Sequence, residues 1–404
     1  MGMFWRHFGP AHWAFREDAK ASVALGRCRC IRAHRCVAHL QIIAVARVEF
    51  GDGRRQSNYV EKQTRRQLFG GAAATVGAVA LYQLLAGGNG PQTVTSTSST
   101  VPLIKLDEGL APQSFITPTE DFFRIDTAYP SIPELAKDSW QLKIHGMVDS
   151  EVTLSFADLE AMPQMSDTIT LACVSNEVGG NEIGNAVWGG VSLADVLRMA
   201  GVQSGAEQLV SRSSDGWTCG TPVDAVMDGR NAMLVTTMNG EPLTPKHGFP
   251  VRMIVPGLFG YVSATKWLVD LELTTWDAFD PYWVVRGWTP EGPVLSSSRI
   301  DLPRPAGKVK TGALTAGGFA WAPRAGVGKV QVRLNDGQWQ NAEIVESHSG
   351  DAWAQWRADI EVAVGEQLLT VRVIDANGVE QVEAEQGTFP SGATGLHSVK
   401  FSAA

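Results

Sequence analysis

Apolar and polar residues alternate with period two along Trp140-Gln141-Leu142-Lys143-Ile144-His145-Gly146, which predicts a half-buried strand. Val251-Arg252-Met253-Ile254-Val255 ends at Pro256-Gly257, and residues 266–273 end at Thr274-Thr275; both predict further strands. Residues 192–199 instead carry the spacing of one or two helical turns. Nearer the C-terminus, residues 329–334 lead into Asn335-Asp336-Gly337 and then Gln338-Trp339, and residues 367–374 lead into Asp375-Ala376-Asn377-Gly378. Each is a hairpin signal. Turns recurring every ten or so residues over about 110 residues predict an immunoglobulin-like sandwich, here without paired cysteines. The expected fold class is therefore α+β, a mixed α/β domain over residues 111–292 followed by an all-β sandwich over residues 293–404.

Ahead of this body, Thr64-Arg65-Arg66-Gln67-Leu68-Phe69 precedes residues 70–88, an Ala- and Gly-rich run without charge. The pairing predicts a twin-arginine export signal over residues 64–88, against the alternatives of a plain membrane helix or a core helix. No clean A-x-A site follows, so an uncleaved anchor is one expected outcome, and the protein is expected to be exported or membrane-anchored, facing the extracytoplasmic side. Residues 89–110 read as a polar linker. Residues 1–63 are a basic extension whose Cys28, Cys30 and Cys36 do not have the C-x2-C spacing of zinc pairs. Because an export signal begins close to its arginines, residues 1–59 are expected to be absent from the natural protein, or disordered and without function.

Composition narrows the class. Hydrophobic residues at 44% and charged residues at 19% exclude disordered and coiled-coil chains, and 13 Trp favour sheet packing. Residues 1–66 hold 13 Lys and Arg against 5 Asp and Glu, leaving 21 against 37, or −16, in the remainder. An acidic body does not suit nucleic-acid binding.

Two segments carry candidate chemistry. In residues 170–185 an apolar run delivers Cys173 into a loop rich in Gly and Asn, where a thiolate can act as nucleophile or soft metal ligand; a buried structural thiol is the bland alternative. In residues 238–267, His247, Arg252 and Lys266 surround two Gly-containing turns, an arrangement suited to a phosphorylated cofactor in an otherwise acidic protein. Neither a G-x-G-x-x-G nor a G-x4-G-K-[ST] fingerprint is present.

Taken together, Asp121-Phe122-Phe123-Arg124, Asn239-Gly240-Glu241-Pro242, His247-Gly248-Phe249-Pro250-Val251-Arg252 and Ser263-Ala264-Thr265-Lys266-Trp267 resemble the sulfite-oxidase superfamily of molybdopterin enzymes. Tyr282-Trp283, Arg286-Gly287-Trp288 and Ser298-Arg299-Ile300-Asp301 resemble the passage into that family's C-terminal immunoglobulin-like dimerisation domain. The resemblance implies Mo-molybdopterin as cofactor, with Cys173 as catalytic residue and metal ligand. It further implies that His247 and Arg252 bind the pterin phosphate, that Ser263, Ala264, Thr265 and Lys266 line the pterin, and that Phe123, Arg124 and Ser213 complete its wall. A small-molecule substrate and a homodimer follow from it too. The body has no C-x-x-C-H haem attachment and only Cys173 and Cys219, so electrons must pass to an external carrier, a cytochrome or a quinone-linked membrane subunit.

One departure concerns the substrate. Where sulfite oxidisers place Arg after Cys-x-x-Asn, this chain has Glu177, and a carboxylate beside the metal disfavours an anion. An S-oxide or N-oxide reductase is the alternative within the family. A hydrolase pairing Cys173 with His247 and a non-catalytic binding protein are the alternatives outside it.

Overall fold

The computed structural model describes residues 114–128 and 131–404. The twin-arginine segment, its apolar run, the linker and the N-terminal cysteines lie outside the described residues. Among the described residues no helix is long and apolar enough to cross a membrane.

Two strands, β1 (Gln141–Gly146) and β2 (Val152–Ser155), open the body; the alternation expected from the sequence appears in β1, where Leu142 and Ile144 are fully buried. A short helix, Phe156–Ala161, starts at Ser155, whose hydroxyl accepts from Asp158 N while the Asp158 carboxylate accepts from Ser155 N. Then come β3 (Gln164–Ala172) and β4 (Ile183–Ser192), paired antiparallel from Gln164–Val191 to Ala172–Ile183. The predicted helix follows as Leu193–Ala200, capped by Ser192 and stopped by Gly201 in the left-handed region. Next lie β5 (Gln208–Ser213), β6 (Thr218–Pro222), the helix Val223–Met227, β7 (Met233–Met238), β8 (Glu241–Pro242), β9 (Arg252–Ile254), the helix Gly260–Ser263 and β10 (Leu268–Thr274).

These strands form two sheets. One runs β2-β1-β10-β5-β6, with β10 parallel to β1. The other runs β3-β4-β7-β8, with β9 joined to β7. The described helices are short, the longest being the eight residues of Leu193–Ala200, so the body is β-rich instead of the even α/β mixture expected. The reason lies in β3 and β4, whose consecutive buried residues support neither helical periodicity nor simple alternation but pack on both sides of a covered sheet.

From residue 297 onward the strands are β11 (Ser297–Leu302), β12 (Lys308–Val309), β13 (Gly312–Trp321), β14 (Val327–Leu334), β15 (Gln340–Glu346), β16 (Ala354–Val362), β17 (Gly365–Asp375) and β18 (Ser398–Ala403). They pair in the order β11-β13-β16-β15-β14-β17-β18-β12. Residues of β11, β13 and β16 share one buried core with residues of β14, β17 and β18, so the sheet folds over itself at the β14–β15 hairpin. That hairpin sits at the expected Asn-Asp-Gly turn. The second expected hairpin differs: after Asp375 the chain makes the isolated bridges Ile374–Glu380 and Gln386–Thr394 and no further strand before β18 pairs with β17. Glu380, Glu383, Glu385, Gly387 and Pro390 interrupt any alternation there.

Candidate active site

Cys173 is the first residue beyond β3, and the loop from 173 to 182 is built on its own polar groups. Cys173 N donates to Glu182 O at 2.9 Å, Asn176 N to Cys173 O at 3.1 Å, and Glu182 N to Asn176 Oδ1 at 2.8 Å. Gly179 has φ +77°, and a Cβ there would meet the His397 imidazole at 2.3 Å, so only glycine lets the loop lie against this ring. Arg299 Nη1 donates to Gly180 O at 2.8 Å. The end of β3 is clamped as well: Thr170 N donates to Asp351 O at 2.9 Å, and Trp353 N donates to Thr170 Oγ1 at 2.8 Å. The sulfur position is thus fixed by two strands and by the C-terminal sheet.

Cys173 faces a cavity of about 230 Å³ shared with Phe122, Phe123, Ser213, His247, Arg252, Ala264 and Lys266. Phe122 and Phe123 stack at 5.3 Å, and Phe122 meets Trp188 edge-on at 5.5 Å. A Cβ on Gly184 would lie 2.7 Å from the Phe122 ring, so this strand glycine makes room for the aromatic wall. Arg124 Nε donates to Asp126 Oδ2 at 2.6 Å, and Lys266 Nζ lies 2.7 Å from the same oxygen. Burial would raise the Asp126 carboxyl, but the hydrogen bonds and charges of Arg124 and Lys266 outweigh it and hold the group below its usual range. Burial, partly opposed by Asp126, brings Lys266 down to about 8.

His247 is buried and its Nε2 lies 2.9 Å from Thr119 O. A carbonyl only accepts, so Nε2 carries the proton and Nδ1 is the acceptor. Burial first, and then the Arg252 charge, lower this ring to about 4. Arg252 stacks over Trp188 at 5.0 Å and donates to His247 O at 3.2 Å, and burial alone lowers it to about 10. Two buried polar atoms on this wall, Arg252 Nε and Ser213 Oγ, have no partner within the protein. Leaving a buried guanidinium N–H unmet costs about 1–3 kcal/mol, so the wall is matched to a polar, oxygen-rich group. Arg124, Arg252 and Lys266 outnumber Asp126 and the exposed Asp215, and this balance suits an anion.

The cavity thus gathers Cys173, Phe123, Ser213, His247, Arg252, Ala264 and Lys266, and Arg124 joins them through Asp126. Ser263 and Thr265 do not face it: Ser263 Oγ donates to Leu258 O at 3.0 Å, and Thr265 is fully buried against Ser211. Their carbonyls instead accept from Val255 N and Met253 N, which shapes the turn presenting Ala264 and Lys266. Glu177 is exposed and borders a separate cavity of about 50 Å³ beside Arg299, so it does not stand over the sulfur as its sequence position suggests. The carboxylate linked to Cys173 is Glu182, through Ser175. Sequence reasoning missed Asp126, Ser175, Trp217, Tyr261, Trp283 and Trp288, which line the main cavity, and Glu182, which accepts from Ser175. Ser175, Tyr261, Trp283 and Trp288 lay in segments already singled out, but without a role of their own.

Hydrolysis by a Cys173–His247 pair does not fit. The sulfur pairs with Ser175 and the ring with Thr119, and burial pushes the thiol up while bringing the imidazole down, the reverse of an activated pair. Cys219 is a fully buried free thiol raised to about 11 by burial, and it does not bridge to Cys173. Among the described residues no three His, Cys, Asp or Glu side chains form a metal cage, so a metal at Cys173 would draw its other ligands from a cofactor.

Comparison with known proteins agrees with this chemistry. Residues 129–283 match the oxidoreductase molybdopterin binding domain. The chain is 34% identical over 161 residues to the uncharacterized oxidoreductase YuiH of Bacillus subtilis (strain 168), covering 40% of this chain and 78% of that one. It is 29% identical over 296 residues to the mitochondrial sulfite oxidase of Rattus norvegicus, covering 61% of this chain and 53% of the rat protein. It therefore spans about half the length of that relative. The fold is similar to the crystal structure of the sulfane dehydrogenase SoxCD from Paracoccus pantotrophus, with a TM-score of 0.58 at 24% identity over 82% of this chain and 86% of that chain.

Proposed function

Because the chain belongs to the sulfite-oxidase superfamily of molybdopterin-binding oxidoreductases, we propose that it transfers an oxygen atom to or from a small molecule at a molybdenum held by Cys173. The cofactor is Mo-molybdopterin. When bound, it supplies two-electron redox chemistry at a metal that accepts or releases oxygen.

The residues divide the remaining work. Arg252 and Lys266, with Arg124 behind them, hold the cofactor phosphate, and Ser213 donates from the adjoining wall. Phe122 and Phe123 close one side and exclude water, which strengthens each of those contacts. His247, neutral at physiological pH, keeps its Nε2 on Thr119 and offers Nδ1. Cys173 contributes a soft thiolate whose position the β3 clamp fixes. The observation that carries the reading is that Cys173, Ser213, Arg252 and Lys266 line one cavity. Elemental and pterin analysis of the full chain, made in a host that synthesises the cofactor, should give stoichiometric molybdenum and pterin. Folded protein containing neither would overturn it.

For the substrate, a neutral S-oxide or N-oxide is favoured over sulfite. Trp217, Tyr261, Trp283 and Trp288 line the cavity with Cys173, and Glu182 brings a carboxylate to Ser175. An anion beside Ser175 meets the Glu182 carboxylate, away from the cationic wall, whereas the organic substituents of a neutral S-oxide meet rings. Parallel assays of sulfite oxidation and sulfoxide reduction on one preparation separate the two, and faster turnover of sulfite sinks the neutral-substrate reading.

The same reading extends to an exported or membrane-anchored enzyme that passes electrons to a cytochrome or a quinone-linked membrane subunit. It also includes a homodimer formed through an immunoglobulin-like region over residues 293–404, with cofactor binding over residues 111–292. Light scattering on the full chain at micromolar concentration tests the dimer; a monomer would refute it.

A further inference from the structure

A second polar chain leaves the sulfur on the side of its own loop. Cys173 Sγ lies 2.8 Å from Ser175 Oγ, and Ser175 donates to Glu182 Oε2 at 2.7 Å. The backbone holds all three in place, because Glu182 O accepts from Cys173 N and Glu182 N donates to Asn176 Oδ1. A serine hydroxyl has one hydrogen to give. Once the sulfur is a ligating thiolate, it and the Glu182 carboxylate compete for that hydrogen.

From this geometry we infer that Ser175 and Glu182 are positioning residues that set how strongly the Cys173 sulfur donates electrons to the bound metal. The inference rests on the reading of Cys173 as the metal ligand. A hydrogen bond from Ser175 draws electron density off the sulfur, and partners that hydrogen-bond a metal ligand tune the metal's reduction potential. Glu182, as a charged acceptor, pulls the hydroxyl the other way and limits that effect. The two side chains therefore act in opposite senses. Removing the hydroxyl leaves a richer donor and stabilises the oxidised metal. Replacing the carboxylate by an amide frees the hydroxyl for the sulfur and stabilises the reduced metal.

Potentiometric titration of the holoenzyme tests this, read together with the sulfur-to-metal absorption band and the molybdenum content. Ser175→Ala should move the reduced-to-oxidised ratio at a fixed potential about tenfold toward oxidised, or about 59 mV downward for one electron. Glu182→Gln should move it upward, and Ser175→Thr, which keeps the hydroxyl, should stay within about twofold of wild type. Shifts of the same sign in Ser175→Ala and Glu182→Gln, or no shift, overturn the inference. Should one of those two variants not load metal, the other decides alone, since each has a required direction. Failure of the ligand reading shows separately: the wild-type enzyme would lack the sulfur-to-metal band, or Cys173→Ser would retain it.

Discussion

Lys266 Nζ stands 2.7 Å from Asp126 Oδ2, and this pair keeps a cation at the wall of a cavity that otherwise works against one. Burial brings Lys266 down to about 8, with Asp126 resisting the fall. A phosphate is held by the protonated amine. Affinity of the apo-protein for molybdopterin should therefore be full below about pH 8 and decline as pH rises through that value. Asp126→Asn removes the resisting charge and should move the decline to lower pH. Binding titrations between about pH 6 and pH 10 check both outcomes, and a flat profile for wild type would show that Lys266 does not hold the anion.

The acid side of the profile belongs to His247. Its folded value is depressed to about 4 by burial and then by Arg252, whereas in the unfolded chain the ring titrates near 6.5. Between these values the unfolded chain binds the extra proton, so stability is full above about pH 6.5 and falls as pH drops toward about 4. The loss is on the order of 3 kcal/mol at its limit. Denaturant unfolding of the apo-protein across this window should show the slope, and His247→Gln should flatten it. An unchanged slope in the variant would assign the acid sensitivity to other groups.

The pattern in the chain made some of this legible and hid the rest for identifiable reasons. The strand at Gln141–Gly146 was readable because its two faces differ, water on one and core on the other. The stretch Ile169–Ala172 gave no periodic signal because both faces are covered, although it is the stretch that delivers Cys173. His247, Arg252 and Lys266 were readable since they sit in one dense motif. Asp126 was not, because nothing local distinguishes it from Glu120 and Asp121, and it gains its role only when the fold brings Lys266 beside it. Ser263 and Thr265 share their motif with Lys266, yet their side chains turn into the protein, as neighbouring residues do when one face of a turn is buried.

Asn185 ties the floor of the site to the first described residues. It is fully buried, its Oδ1 accepts from Thr170 Oγ1 at 2.9 Å, and its Nδ2 donates to Phe115 O at 3.0 Å. Asn185→Ala removes one hydrogen bond from Thr170 Oγ1 and one from Phe115 O, each of which keeps Trp353 as a donor, and should cost about 1–3 kcal/mol and lower the Tm by several degrees. Because Thr170 also anchors Trp353, the variant should lose cofactor more readily than a surface substitution of equal stability cost. Calorimetry and pterin content measured on the same samples test this, and a loss of stability with full cofactor retention would separate the clamp from the site.

Cys173→Ser is the substitution that separates ligand from scaffold. Serine keeps the size and the loop hydrogen bonds of Cys173 N and O, so the fold around residues 173–182 should persist. The contacts assigned to the phosphate lie on Arg252, Lys266 and Ser213, none of which the substitution touches. Pterin should therefore stay bound at close to wild-type content. Turnover should not stay: an alkoxide or hydroxyl is a harder, weaker donor than a thiolate, so electron donation to molybdenum falls. Loss of a group that only orients a metal ligand costs about 10–100-fold, so losing the ligand itself should cost more than about 100-fold with every substrate. Steady-state assays with sulfite and with sulfoxides, alongside pterin and molybdenum content, read the result. A variant that turns over at the wild-type rate with either substrate would mean that the sulfur of Cys173 does not ligate the metal, and the cavity would then need another ligand among the residues facing it.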